Sequence, residues 1–317
     1  MTAPRRILVA GATGVIGRSL VPMLLAHGDE VVGLARSEAS AERVRALGAT
    51  AVRGDALDRE RVHAAVAEVR PDVIVHQLTA IPRGAMNPRR MGEALAPTNR
   101  LRREATRHIV EAGETHGVRR IVAQSVAFAY RPQGPWVVDE TAPLDTEAKG
   151  AWGEIVGAIV ALEDAVTTAS GVTGVVLRFG GLYGPGTATA ADGLAGRLAR
   201  ARRLPVVGGG EGRQSFLHPH DAATATLSAL ERGSGIYNVV DDHPAPANEW
   251  IPALAAALGA PPPRRVPAWL VRVVGGPDAV RAMTVQRGAT NARARADLHW
   301  RPEHADWRQG FATTLGA

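Results

Sequence analysis

Between an apolar run, Arg6-Ile7-Leu8-Val9-Ala10, and a segment of helical period with Ile16, Leu20, Met23 and Leu24 on one face, the chain reads Gly11-Ala-Thr-Gly14-Val-Ile-Gly17. That junction constrains the fold more than any other stretch. Glycines at this spacing suit a buried strand that turns at once into a helix, where side chains would block the turn and the packing of helix on strand. The helix is expected from about Thr13 to His27, stopped by Gly28. The same alternation then continues. Strands are expected at Val31–Leu34, Ala51–Val52, Val73–His76, Ile121–Ala123 and Val175–Leu177, with helices at Ser40–Leu47, Arg59–Val69, Asn99–His116 and Ala151–Ala169 between them.

Aliphatic strands alternating with helices predict an α/β fold with a doubly wound parallel sheet, the Rossmann arrangement. Residues 1–178 form this dinucleotide-binding domain, joined by a returning segment of about 213–243. From Phe179 the chain is richer in Gly and Pro and less regular, with helical segments near Leu194–Arg202, His220–Glu231 and Asn248–Leu258. Residues 179–212 and 244–317 are assigned to a smaller substrate-binding lobe.

The composition narrows the partners. The net charge of +6 is scattered, Lys149 is the one lysine among the basic residues, and aromatics make up 4% of the chain, so no nucleic acid is expected. Zero cysteines exclude disulfides and thiolate ligands and agree with a cytoplasmic location. No uncharged run approaches the roughly 18 residues of a membrane span, and no secretory leader is visible, so no membrane is expected. His218-Pro-His220-Asp221 starts a helix without a third ligand nearby, so no metal is expected.

The glycine loop sits where a phosphate cradle must sit. Gly11 permits the turn, Gly14 lets the backbone approach a diphosphate, and Gly17 lets the helix pack on the strand, while the free N–H groups of the helix attract the anion. Thr13, Val15 and Ile16 complete the loop. The end of the second strand then selects the dinucleotide, because an acid there binds a ribose hydroxyl and an arginine a 2′-phosphate. It reads Leu34-Ala35-Arg36-Ser37, so Arg36 and Ser37 favour NADP(H), with NAD(H) the alternative. Asp55, beside Ala56, can accept from the adenine amino group or serve as a turn residue; Leu78 and Thr79 complete the cofactor-binding set past the fourth strand.

Together with Leu177-Arg178-Phe-Gly-Gly-Leu-Tyr183-Gly-Pro-Gly186, Ser215-Phe-Leu-His218-Pro-His-Asp221, Ile236-Tyr-Asn-Val-Val-Asp241 and Trp307-Arg-Gln-Gly-Phe311, the glycine loop makes the chain similar to the extended short-chain dehydrogenase/reductases, the NAD(P)-dependent epimerase/dehydratase group. The resemblance implies a cofactor in a cleft between two lobes, a small-molecule substrate and a homodimer. It also implies a catalytic tyrosine with a lysine four residues later, which lowers the phenol's pKa. The three tyrosines, Tyr130, Tyr183 and Tyr237, are followed at that distance by Gly134, Thr187 and Asp241. With Glu163 taken as the family's helix glutamate, the pair falls on Ile155 and Ile159.

Replacement donors are sought among the remaining hydroxyls. Ser125 follows the fifth strand, where the family places a hydroxyl toward the substrate, although Val126 is the other possible equivalent. Tyr130 is the preferred acid and Tyr183 the second choice. The expected activity is NADP(H)-dependent oxidation or reduction of a small carbonyl or alcohol with a nonstandard proton donor. A sugar-nucleotide epimerase or dehydratase, and a non-catalytic NADP(H) sensor, are the alternatives.

Overall fold

The computed structural model describes residues 4–82 and 90–315. The first half alternates as expected: β1 (Arg6–Ala10), α1 (Val15–Ala26), β2 (Glu30–Ala35), α2 (Glu38–Arg45), β3 (Thr50–Arg53), α3 (Arg59–Val69) and β4 (Val73–His76). It continues through α4 (Met91–Arg100), α5 (Thr106–Thr115), β5 (Arg120–Val126), α6 (Gly150–Thr167) and β6 (Thr173–Phe179). A later strand, β7 (Gly235–Val239), lies parallel beside β6 and completes a seven-stranded sheet of order β3-β2-β1-β4-β5-β6-β7.

Every pairing in this sheet is parallel, so both faces must be covered by the crossover helices. Successive residues therefore enter different cores. Ile7 and Val9 of β1, Val73 and Val75 of β4, and Val175 and Leu177 of β6 pack with Leu20 and Leu24 of α1. Leu8, Ile74 and Val176 go to the other side, against Val62 and Val66 of α3 and Leu162 of α6. This two-sided burial explains why the strands read as continuous aliphatic runs rather than alternating ones. The strand order reverses between β1 and β4, and such a switch point is where open α/β sheets take ligands, beyond the carboxyl ends of the strands.

One helix differs from expectation. The single helix predicted over Asn99–His116 begins at Met91, runs through Pro97 and widens into a π turn at Leu101–Ala105 before α5. Pro97 has no N–H for the helical ladder, and the turn after it relaxes into the wider ring. In the second half, α7 (Leu194–Arg200), α9 (Ala247–Ala257) and α13 (Trp307–Thr314) surround a smaller core of Tyr183, Phe216, Trp307 and Phe311. Helix α8 (Pro219–Ala229) instead packs its alanines into the core shared with α1 and β6. Further helices, α10 (Ala268–Gly275), α11 (Pro277–Thr284) and α12 (Ala292–Asp297), have no counterpart in the sequence reading. Among the described residues no helix is long and apolar enough to cross a membrane.

Candidate active site

The glycines of the first turn divide by what surrounds them. Gly11 has φ +103, and a Cβ there would stand 2.8 Å from the Gln77 carbonyl oxygen; at Gly17 it would stand 2.4 Å from the carbonyl oxygens of Gly11 and Ala12. Protein alone forbids side chains at both positions. At Gly14 a Cβ would meet one atom of the fold, the Gly11 carbonyl oxygen at 3.2 Å, so the space in front of it is left open to the crevice. Gly14 is also the N-cap of α1, with no side-chain cap and no acid in the first turn. The amide hydrogens of that turn thus lack a side-chain acceptor, and a diphosphate fits them in charge and in shape. Thr13 and Val15 are half-buried at the mouth, whereas Ile16 is spent on the core.

Around this cradle, Arg36 is exposed one residue past the end of β2 and has no hydrogen-bond partner among the described residues. Ser37 is the N-cap of α2: its Oγ accepts the Ser40 amide at 3.3 Å, and its own amide donates to Ser40 Oγ at 3.0 Å. Asp55 is exposed and accepts the Leu57 amide at 3.0 Å, and the carbonyl of buried Ala56 pairs with His108 Nδ1 at 3.1 Å. Leu78 is half-buried and Thr79 exposed just beyond β4.

The catalytic candidates lie deeper. Ser125 Oγ, fully buried at the end of β5, donates to Glu163 Oε1 at 2.7 Å. Arg178, near the end of β6, donates to the same carboxylate from Nε at 2.8 Å and Nη2 at 2.6 Å, and from Nη1 to the Tyr130 hydroxyl at 3.0 Å. The Tyr130 hydroxyl in turn donates to Asn238 Oδ1 of β7 at 2.6 Å. The protons of Ser125 and Tyr130 are therefore both directed into one buried network. Burial pushes the Tyr130 phenol above its usual pKa, although Arg178 works against the shift.

Tyr183 belongs to a separate place, walled by Phe216, Phe311 and His218. Its hydroxyl is buried without a hydrogen-bond partner among the described residues, and burial followed by the nearby Asp241 carboxyl raises its pKa. Ile155 and Ile159 are sealed among apolar side chains that include Val126 and the Tyr130 ring. The three candidate hydroxyls thus fall into two groups: Ser125 with Tyr130, and Tyr183 apart.

The histidine motif is absorbed by packing. His218 stacks on His304 at a ring separation of 3.9 Å, burial lowers its pKa to about 4, and His304 adds to the lowering. Among the described residues no group of three potential metal ligands is assembled.

Sequence reasoning missed the Glu163–Arg178 pair as a working unit, although a charge in the otherwise aliphatic β6 was the available signal: a buried guanidinium demands a carboxylate. It also missed Gln77 and Asn99, whose side-chain oxygens Oε1 and Oδ1 are buried without a hydrogen-bond partner among the described residues.

The profile of the NAD dependent epimerase/dehydratase family matches residues 7–239. A 3-diazoavenalumate denitrifying reductase from a Streptomyces species is 48% identical over 308 residues, covering 96% of this chain and 99% of that one. A Stigmatella aurantiaca enzyme, the 4-hydroxy-2-methyl-3-oxo-4-farnesyl-3,4-dihydroquinoline-1-oxide ketoreductase, is 28% identical over 259 residues, 80% of this chain and 73% of that one. Among solved structures, the Thermus thermophilus UDP-glucose 4-epimerase in complex with NAD superposes with a TM-score of 0.72 at 25% identity, covering 98% of this chain and 97% of that one. With the glycine cradle at the switch point of a seven-stranded parallel sheet, these matches make the chain a member of the NAD dependent epimerase/dehydratase family and an NAD(P)-dependent oxidoreductase.

Proposed function

We propose that this oxidoreductase is an NADP(H)-dependent reductase whose substrate is a small aryl diazonium compound. The single observation that carries the reading is the burial of the acid–base candidates: the Ser125 and Tyr130 protons point inward, and Ile155 and Ile159, onto which the family resemblance places the tyrosine and lysine, lie in an apolar core. Carbonyl reduction creates an alkoxide and needs an acid. When bound, the reduced dinucleotide supplies a hydride, and at a diazonium carbon that hydride forms a C–H bond while the C–N bond breaks and N2 leaves with its electron pair. No proton is required for that balance. The 48% identity to a denitrifying reductase over nearly both full lengths supports the same substrate class.

The chain's own residues then have positioning roles. The first turn of α1 holds the diphosphate, Arg36 the 2′-phosphate, and Leu78 and Thr79 border the path to the carboxyl ends of β4 and β5. The enzyme works as a homodimer, as the family resemblance implies, and in the cytoplasm, with which its lack of cysteine agrees.

Purified protein mixed with NADPH and diazotised 3-aminocinnamate should lose nicotinamide absorbance in step with N2 release, and NADPH deuterated at C4 should leave deuterium on the product ring. Stable NADPH with the diazonium acid, but consumption with aldehydes or ketones, would return the enzyme to carbonyl reduction. That second reading draws on the ketoreductase relative and would need the Tyr130 or Tyr183 hydroxyl freed from its burial.

Exposed Arg36 gives a separate test of cofactor choice. Arg36→Asp should reverse a preference for NADPH into one for NADH, moving the ratio of kcat/KM values by about 100-fold, which corresponds to about 2.8 kcal/mol. Equal use of both dinucleotides by the unmodified enzyme would refute the assignment to Arg36.

A further inference from the structure

Arg102 sits in the π turn between α4 and α5 and is 8% exposed, yet its guanidinium has no hydrogen-bond or ion-pair partner among the described residues. Glu163 acts on it electrostatically, but both oxygens of that carboxylate are already taken by Arg178 and Ser125. Loss of water lowers the Arg102 pKa to about 10, which leaves the group charged at neutral pH. Glu163, Arg178 and Arg102 together hold one positive charge in excess, and the Arg102 guanidinium keeps a narrow exposure through which an opposite charge can join it.

The position says where that charge would come from. Thr98 and Thr106, one helical turn to either side, share the face of Arg102. Thr98 Oγ1 accepts the Ala80 amide at 3.0 Å, and Thr106 Oγ1 pairs with His76 Nε2 at 2.9 Å. That face therefore looks onto the carboxyl end of β4. About one turn before Arg102, Asn99 Oδ1 is buried without a hydrogen-bond partner among the described residues, whereas Gln77 turns to the other face of the sheet, where its Nε2 donates to Thr226 Oγ1 of α8. An excess cation beside an orphaned acceptor matches a ligand that carries both an oxyanion and a hydroxyl.

We propose that Arg102 binds an oxyanion of the substrate, a carboxylate or phenolate, at the β4–β5 end of the crevice. The phosphates of the dinucleotide are the other source of such chemistry, but the diphosphate belongs to α1 and the 2′-phosphate to Arg36 past β2, on the opposite side of β1 in the sheet. The inference rests on the hydride-transfer reading for the placement of the substrate and extends it to the substrate's charge.

Calorimetry on the NADP+-loaded enzyme tests it, with 4-hydroxycinnamate as the probe and 4-hydroxycinnamyl alcohol as its neutral counterpart. Arg102→Gln should weaken 4-hydroxycinnamate binding by about 30-fold or more. Binding of the alcohol and of NADP+ should change less than about twofold, and Arg102→Lys should recover part of the loss. The thermal midpoint of the free Arg102→Gln protein should not fall, because no native partner is removed. Unchanged 4-hydroxycinnamate affinity in the variant, or no binding by the wild type, would overturn the proposal. A parallel loss of NADP+ affinity would overturn it in favour of a dinucleotide phosphate, and a lowered midpoint without an effect on the probe in favour of a structural cation. None of these readouts uses diazonium turnover, so failure here leaves the hydride-transfer reading to its own test.

Discussion

Gly14→Val should remove dinucleotide binding and leave the fold standing. The added side chain would face the open mouth of the crevice, where its Cβ meets nothing of the protein but the Gly11 carbonyl oxygen, and the backbone at 14 is already extended at φ −71 and ψ 177. Valine adopts those backbone angles, and the Gly11 carbonyl oxygen need give by only a few tenths of an ångström. The isopropyl group would, however, fill the volume that a diphosphate needs to reach the N–H groups of α1. Affinity for NADPH and NADH by calorimetry should fall by about 100-fold or more, on the order of 2.8 kcal/mol, with the thermal midpoint within about 1 °C of wild type. Gly17→Val is the control with the opposite signature: its Cβ would sit 2.4 Å from two carbonyl oxygens, so stability fails along with binding. Wild-type affinity in Gly14→Val would mean that the cofactor does not approach this turn.

Glu163→Ala should be among the most destabilising single changes in the chain. It strips the bidentate acceptor from Arg178, whose side chain is 4% exposed, and orphans the Ser125 hydroxyl in the same step. Leaving one member of a buried pair uncompensated costs about 3–5 kcal/mol, which lowers the thermal midpoint by roughly 5–10 °C in a protein of this size. Replacing both partners with apolar residues, Glu163→Leu with Arg178→Met, should recover most of that loss, since no buried charge of the pair then remains. Differential scanning calorimetry of the three proteins decides it. A midpoint for Glu163→Ala within about 2 °C of wild type would show that the pair is solvated in solution and that Tyr130 is not anchored through it.

The parts of the fold that were legible in the sequence share a physical cause. Strands β1, β2, β4, β5 and β6 are buried on both faces and so announce themselves by short aliphatic runs, and Gly11 and Gly17 of the first turn mark where side chains are sterically forbidden. Strand β7 was not legible as an element, because Gly-Ile-Tyr-Asn-Val mixes a hydroxyl and an amide into its period and follows a long excursion through the second lobe. The start of α4 was hidden behind Pro97, which normally marks the boundary of a helix.

The site was legible as a cradle and not as chemistry. Ser125 and Tyr130 lie on one strand and the loop after it, as the sequence indicates. Where their protons go depends on Glu163, Arg178 and Asn238, the last of them 108 residues from Tyr130. Hydroxyl direction is a tertiary property, and no spacing rule reports it. Arg102 illustrates the same limit, since one arginine in a run that reads Leu-Arg-Arg-Glu looks like a solvated face until helix packing encloses it.

The late arrival of β7 bears on how the molecule is made. A ribosome that has released residues through Phe179 has delivered the inner strands but leaves β6 with its outer row of amides and carbonyls unpaired, and Arg178 without the Asn238 side of its network. Roughly another turn of the second lobe's synthesis must pass before that edge is covered, a window in which two nascent chains on one message could pair edge to edge. Slowing translation between the codons for Phe179 and Gly235 would lengthen that window and should raise the share of chains lost to aggregation.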